Sequence, residues 1–314
     1  MILLLRSWRD FARADFRWGL YGATFLFLAL AIAFNYLLDF EDSYIDAYRE
    51  TPWRFPAYYA LYALAYYPTA LLWARAHHQM AVLRTRAFWV FSAFGLALLA
   101  LWRDFFFYQY LAEVPPFRQV YTLAFRCLSN LSSILTVFLP FALFYRFVAQ
   151  PRTHFYGFKP YRPALGVYAL LLAAMVPLIA WASFQPDFLE TYPTFKDWDA
   201  FAILGTPAWV PPLLYELCYG FDFISTELIF RGFFVVGMAH LLGRGTVLPM
   251  VVVYAFLHFG KPLGECIGSV FGGYLLGILA LQSRSLWGGV VLHLGVAWLM
   301  EAAAFLQIKN SGWL

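Results

Sequence analysis

Long apolar runs separated by short polar loops dominate the chain. They cover 19–38, 57–74, 87–107, 119–146, 163–184, 207–242, 246–259, 264–281 and 286–306. A helix needs ~20 mostly apolar residues to cross the ~30 Å hydrocarbon core of a bilayer. The pattern therefore predicts an all-α, polytopic transmembrane bundle of about eight or nine helices. The 246–259 run is short, so a tilted or partial crossing is expected there. The 207–242 run is too long for one straight span. Pro211, Pro212 and Gly220 are expected to break it into a partial helix and a second helix near 222–242.

The loops carry an alternating charge. Residues 1–18 hold Arg6, Arg9, Arg13 and Arg17, and residues 39–54 hold Asp39, Glu41, Asp42, Asp46 and Glu50. Arg75, Arg84 and Arg86 follow, then Arg146, Arg152, Lys159 and Arg162, and then the acidic stretch Asp187, Glu190, Asp197 and Asp199. By the positive-inside rule this places the N-terminus in the cytoplasm. A single crossing by 207–242 also puts Arg244 and Arg284 inside. The first 18 residues lack an apolar core followed by a small-residue cleavage site, so they read as a basic amphipathic helix on the inner membrane face.

Composition agrees with a membrane body. The chain is 62% hydrophobic and 13% charged, with a mean hydropathy of +0.64. A soluble domain needs roughly twice that charge to solvate its surface. The net charge of +4 is too small to imply nucleic acid. Cys127, Cys218 and Cys266 are far apart in apolar surroundings and read as small core residues. Two regions are expected. Residues 1–162 form N-terminal transmembrane helices led by the amphipathic segment. Residues 163–314 hold the polar groups at membrane depth.

A charged side chain at the bilayer centre costs ~2.5–3.5 kcal/mol, so such residues are functional candidates. Asp222, Glu227, Arg231, His258, Glu265, His293 and Glu301 are the set here. Glu227 and Arg231 are four apart on one helix face and can pair; Asp222 lies close to that face. An ion pair joining two helices is the structural alternative. His258 ends a short apolar helix before a Gly-Lys-Pro break, where it can act as a base or simply pack. Glu265 opens the next helix, where the dipole favours a carboxylate. His293 lies mid-span, with Glu301 two turns further along. Gly268 with Gly272, and Gly273 with Gly277, form small-xxx-small pairs that let backbones approach. One carboxylate and two histidines on different helices are a minimum set for activating water and holding an oxyanion.

The order of these residues resembles the CPBP family of CAAX-processing and bacteriocin-processing intramembrane proteases, also called the Abi family. The first motif of that family is Glu-Glu-x-x-x-Arg, matched by Thr226-Glu227 through Arg231. The second, Phe-x-x-x-His, is matched by Tyr254 through His258, and the third, His-x-x-x-Asn/Asp, by His293 through Ala297. The lead-in "RSLWGGVVLH" is also similar. The resemblance covers roughly 150–306 and departs at Thr226 and Ala297.

The resemblance implies an intramembrane endopeptidase. Glu227 and His258 would activate a water, His293 would stabilise the oxyanion, and Arg231 would orient the carboxylate. Asp222, Thr226, Glu265 and Ala297 stand beside these as additional site positions, with Asp222 or Glu265 able to supply a second carboxylate. No cofactor is required, although zinc has been proposed for such sites and Glu227, His258 and His293 would be its ligands. The expected partners are a membrane-embedded or membrane-proximal peptide and the bilayer, and no nucleic acid. The expected location is a bacterial inner membrane. Two other readings stay open: a catalytically inactive scaffold on the same fold, motivated by Thr226 and Ala297, and a proton-coupled transporter.

Overall fold

The computed structural model describes residues 2–149, 154–159, 165–196 and 200–310. Every regular element among them is helical. Six helical stretches are long and apolar enough to span a membrane: Trp18–Leu38, Arg86–Ala112, Phe117–Phe147, Val210–Leu257, Leu263–Ser283 and Trp287–Lys309. Gly166–Ala182 is apolar but shorter. The protein is thus a polytopic helical membrane bundle. The count falls below nine for two further reasons. The 207–242 and 246–259 runs join into one helical stretch, and the 57–74 run lies in the tyrosine-rich helix Arg54–Ala76. Arg152, Arg162, Asp197 and Asp199 lie outside the described residues.

The expected break at Pro211, Pro212 and Gly220 does not occur. Both prolines sit in the first turn of helix Val210–Glu227, where a missing N–H costs nothing, and Gly220 lies inside that helix. The geometry changes later, in a ten-residue π-helix over Leu228–Gly237. Long-range packing accompanies the change. A Cβ on Gly232 would lie 2.9 Å from the Tyr156 carbonyl oxygen, and one on Gly237 would lie 3.0 Å from the Tyr156 ring.

The chain forms two compact units, each drawn from three stretches. The first comprises Met1–Asp104, Gln150–Tyr161 and Glu227–Gly289. Within it, helix Val247–Leu257 packs against Arg54–Ala76 and against Leu263–Ser283. Gly273 packs against Tyr254, where a Cβ would lie 3.0 Å from the ring, and Gly277 packs against Met250 and Val247, where a Cβ would lie 2.6 and 3.2 Å away. Gly268 and Gly272 face open space, so only one of the two small-xxx-small pairs mediates packing here. Helix Ile2–Asp15 is amphipathic, with Arg9 and Arg13 exposed and Phe11 buried. Its last residue, Asp15, is buried and accepts from Trp73 Nε1 and from the Tyr21 hydroxyl, both at 2.9 Å.

The acidic loop after Trp18–Leu38 forms a second polar layer in this unit. Glu41 Oε1 accepts from Arg103 Nη2 at 2.7 Å. The Tyr58 hydroxyl lies between Glu41 and Asp46, at 2.5 and 2.6 Å. Arg54 donates to Asp46 at 2.7 Å. Burial pushes the Asp46 carboxyl up, but the bonds from Tyr58 and Arg54 outweigh it and hold its pKa below the usual value. Asp42 has no such compensation, and burial together with the neighbouring Glu41 raises it from 3.8 to about 6.

The second unit comprises Phe105–Ala149, Arg162–Thr226 and Val290–Leu314. Its core gathers Leu123, Cys127, Phe195, Tyr215 and Cys218. All three cysteines of the chain are buried and reduced. Glu301 is buried and accepts from the Thr194 backbone N–H at 3.1 Å and from the Thr194 hydroxyl. Tyr215 donates to that hydroxyl at 2.7 Å. This carboxylate therefore anchors the 194 loop.

Asp42 yields a pH-dependent prediction. Its folded pKa lies above the unfolded value, so its stabilising contribution is present below about pH 4 and is lost as pH rises through about 6. Asp42→Asn should raise the unfolding midpoint at neutral pH and leave it unchanged below about pH 4. Thermal melts of the detergent-solubilised protein across that range provide the check. An equal shift at both ends would contradict the titration argument.

Candidate functional site

The first two motifs meet within the first unit. Glu227 ends helix Val210–Glu227, and Arg231 lies one turn on, in the π-helical segment. Both side chains are fully buried, and Arg231 Nη1 donates to Glu227 Oε1 at 2.8 Å. The guanidinium lies over the Tyr254 ring, 4.3 Å from its centroid. Such a contact supplements a buried ion pair. Gly289 fits closely against the same carboxylate, since a Cβ there would collide with Glu227 Oε2.

His258 follows directly. It caps the C-terminus of helix Val247–Leu257, and its ring packs edge-on against Tyr254 with centroids 4.5 Å apart. Nδ1 lies 2.7 Å from the Tyr254 carbonyl oxygen. A carbonyl can only accept, so Nδ1 carries the proton, and in the neutral form of the ring the lone pair is on Nε2. The result is a continuous stack of Glu227, Arg231, Tyr254 and His258. Glu265, half-buried, stands in the first turn of helix Leu263–Ser283.

The other sequence candidates belong to the second unit. The Thr226 hydroxyl donates to the Asp222 carbonyl oxygen at 3.1 Å, a bond within its own helix. Asp222 is half-buried on that helix. His293 is half-buried, with its ring 4.5 Å from Phe223. Ala297 is buried and offers no side-chain hydrogen bond.

The zinc implied by the resemblance does not fit Glu227. A buried guanidinium already holds that carboxylate, and its charge opposes a second cation in the same low-dielectric space. Among the described residues, the one cluster of three metal-ligating side chains is Glu41, Asp42 and Asp46, in which Arg103 and Arg54 already pair with Glu41 and Asp46.

Sequence reasoning identified Tyr254 and Gly289 only as parts of motifs and gave them no role. The structure puts Tyr254 between the two motifs and Gly289 against the first carboxylate. The aromatic lead of the second motif and the glycine pair before the third were the available signals.

Residues 208–299 match the family model "Type II CAAX prenyl endopeptidase Rce1-like". That segment belongs to the CPBP family. All three motifs of this CPBP segment lie inside the matched range. No curated protein and no solved structure matches the chain.

The buried pair yields a stability prediction. Arg231→Met leaves Glu227 uncompensated and should cost ~3–5 kcal/mol. Adding Glu227→Gln should recover a large part of that loss, because the lone buried charge is then removed. Denaturant unfolding of both single variants and the double variant measures the coupling. Additive losses would show that the two side chains do not act as a pair.

Proposed function

We propose that the chain is an intramembrane endopeptidase of the CPBP type. The observation that carries this reading is the stack joining the first-motif carboxylate to the second-motif imidazole through Arg231 and Tyr254. In this proposal His258 Nε2 takes the proton of the attacking water. Glu227, oriented by Arg231, helps to hold that water. His293 takes the oxyanion role that the resemblance assigns to the third-motif histidine. Substrates are peptides in or near the membrane, and the family description makes prenylated CAAX tails the first class to try. We also propose that the N-terminus lies in the cytoplasm, on the alternation of loop charge.

A second reading has support of its own. The Thr226 hydroxyl is bonded into its own helix, Ala297 offers no donor, and Glu227 is closed onto Arg231. A scaffold that binds membrane helices without cutting them fits those three facts.

Cleavage in proteoliposomes separates the two. The probes are a membrane-anchored peptide with a prenylated CAAX tail and a panel of leader-type peptides. His258→Ala, His293→Ala and Glu227→Gln should each lower the rate by about 100-fold or more while the proteins stay folded. Wild-type rates in both histidine variants would end the peptidase reading. A cellular phenotype that survives both substitutions would favour the scaffold.

A further inference from the structure

The turn after the second motif is held by residues that no motif contains. Helix Trp18–Leu38 ends beside it, in the same unit. Asn35, only 4% exposed, donates from Nδ2 to the Phe259 carbonyl oxygen at 3.2 Å. Its Oδ1 accepts from the Glu41 backbone N–H at 3.0 Å. The Tyr36 hydroxyl donates to the Lys261 carbonyl oxygen at 2.5 Å, with the His258 carbonyl oxygen at 3.3 Å as a second acceptor. Glu41 is itself fixed by Arg103 and Tyr58. Gly260 packs over Glu41 Oε2, where a Cβ would lie 2.9 Å away.

These contacts answer a physical need. Non-helical backbone near membrane depth has little water to serve its carbonyls, so the protein must supply donors. In the 258–261 turn the His258 carbonyl accepts from the Lys261 backbone N–H at 3.1 Å, and Asn35 and Tyr36 supply donors to the carbonyls of Phe259 and Lys261. Because His258 is the first residue of that turn, holding its backbone also fixes where the imidazole starts. The bond from Nδ1 to the Tyr254 carbonyl has the ring point back along its helix from the C-cap position.

We propose that Asn35 and Tyr36 are positioning residues for His258. They clamp the turn, the clamp preserves the bond from Nδ1 to the Tyr254 carbonyl, and that bond keeps the basic lone pair on Nε2. The consequence for catalysis rests on the peptidase reading. The effect on the imidazole does not.

Full-length protein in nanodiscs, carrying ¹⁵N-labelled histidine, tests the clamp without a substrate. The chain has six histidines, and His258→Gln assigns the signal. Wild type should show His258 as the neutral form protonated at Nδ1. Asn35→Ala with Tyr36→Phe should convert it to a mixture of tautomers, raise amide exchange at 258–261 and leave the His293 signal unchanged. Tyr36→Phe alone keeps the ring and removes only the hydroxyl, so it gives the same readout in part if the double variant does not fold. An unchanged tautomer and unchanged exchange in a folded variant would overturn the proposal.

If wild type cleaves peptides, the clamp variants should lose about tenfold or more in kcat with little change in KM. A shifted tautomer in a protein that cleaves nothing would leave the clamp standing and remove the peptidase reading.

Discussion

The fully buried Glu227–Arg231 pair is the constraint around which the CPBP segment is arranged. Two fully buried charges carry a desolvation cost that close mutual contact and further polar partners offset. The surroundings offset part of that cost, although Arg231 Nε and Nη2 make no hydrogen bond among the described residues. The pair closes at 2.8 Å, and the face of Tyr254 supplies a quadrupole for the guanidinium. Gly289 is the residue type that can lie against the carboxylate without collision. The spacing of the first motif, the aromatic that opens the second and the glycine before the third are thereby linked by one electrostatic requirement.

The same logic extends to the backbone. A membrane helix satisfies its own N–H and C=O groups, but its ends and turns do not. The first unit supplies side chains at those points: His77, whose Nε2 lies 3.0 Å from the Asp15 carbonyl oxygen at the end of the amphipathic helix, and Asn35 and Tyr36 at the turn after His258. Each is a polar residue bonded across helices, and each joins segments far apart in the chain. The polar groups of the N-terminal half therefore do structural work for the C-terminal half of the same unit.

How much of this was legible depended on how local the cause was. The Glu227–Arg231 pair could be read directly, because four residues is one helical turn. The placement of His258 at a helix end followed from the Gly-Lys-Pro break beside it. The π-helix at 228–237 had no local signature. Its sequence keeps a helical pattern, and its glycines meet Tyr156, which is distant in the chain. The two prolines misled for the opposite reason: they are strong breakers inside a helix but harmless in its first turn. Glycine spacing announced that a close approach was available without saying which face would use it, so Gly268 and Gly272 looked equivalent to Gly273 and Gly277. Asn35 and Glu301 were opaque for a simpler cause. Their partners, Phe259 and Thr194, are 224 and 107 residues away.

The departure at the first motif sharpens the role of His258. The Thr226 hydroxyl is bonded to the Asp222 carbonyl oxygen, so it does not substitute for a carboxylate, and Glu227 Oε1 is committed to Arg231. On the peptidase reading proposed here, the proton acceptor is an imidazole nitrogen. Only Nε2 can serve, because Nδ1 must be protonated to bond the Tyr254 carbonyl oxygen. A site with two free carboxylates could tolerate either tautomer of its histidine. A site whose buried motif carboxylate is already paired with Arg231 leans more on its histidine, and so on the backbone that fixes the tautomer. The turn held by Asn35 and Tyr36 is thus the part of the structure where loss of the first glutamate places the greatest demand.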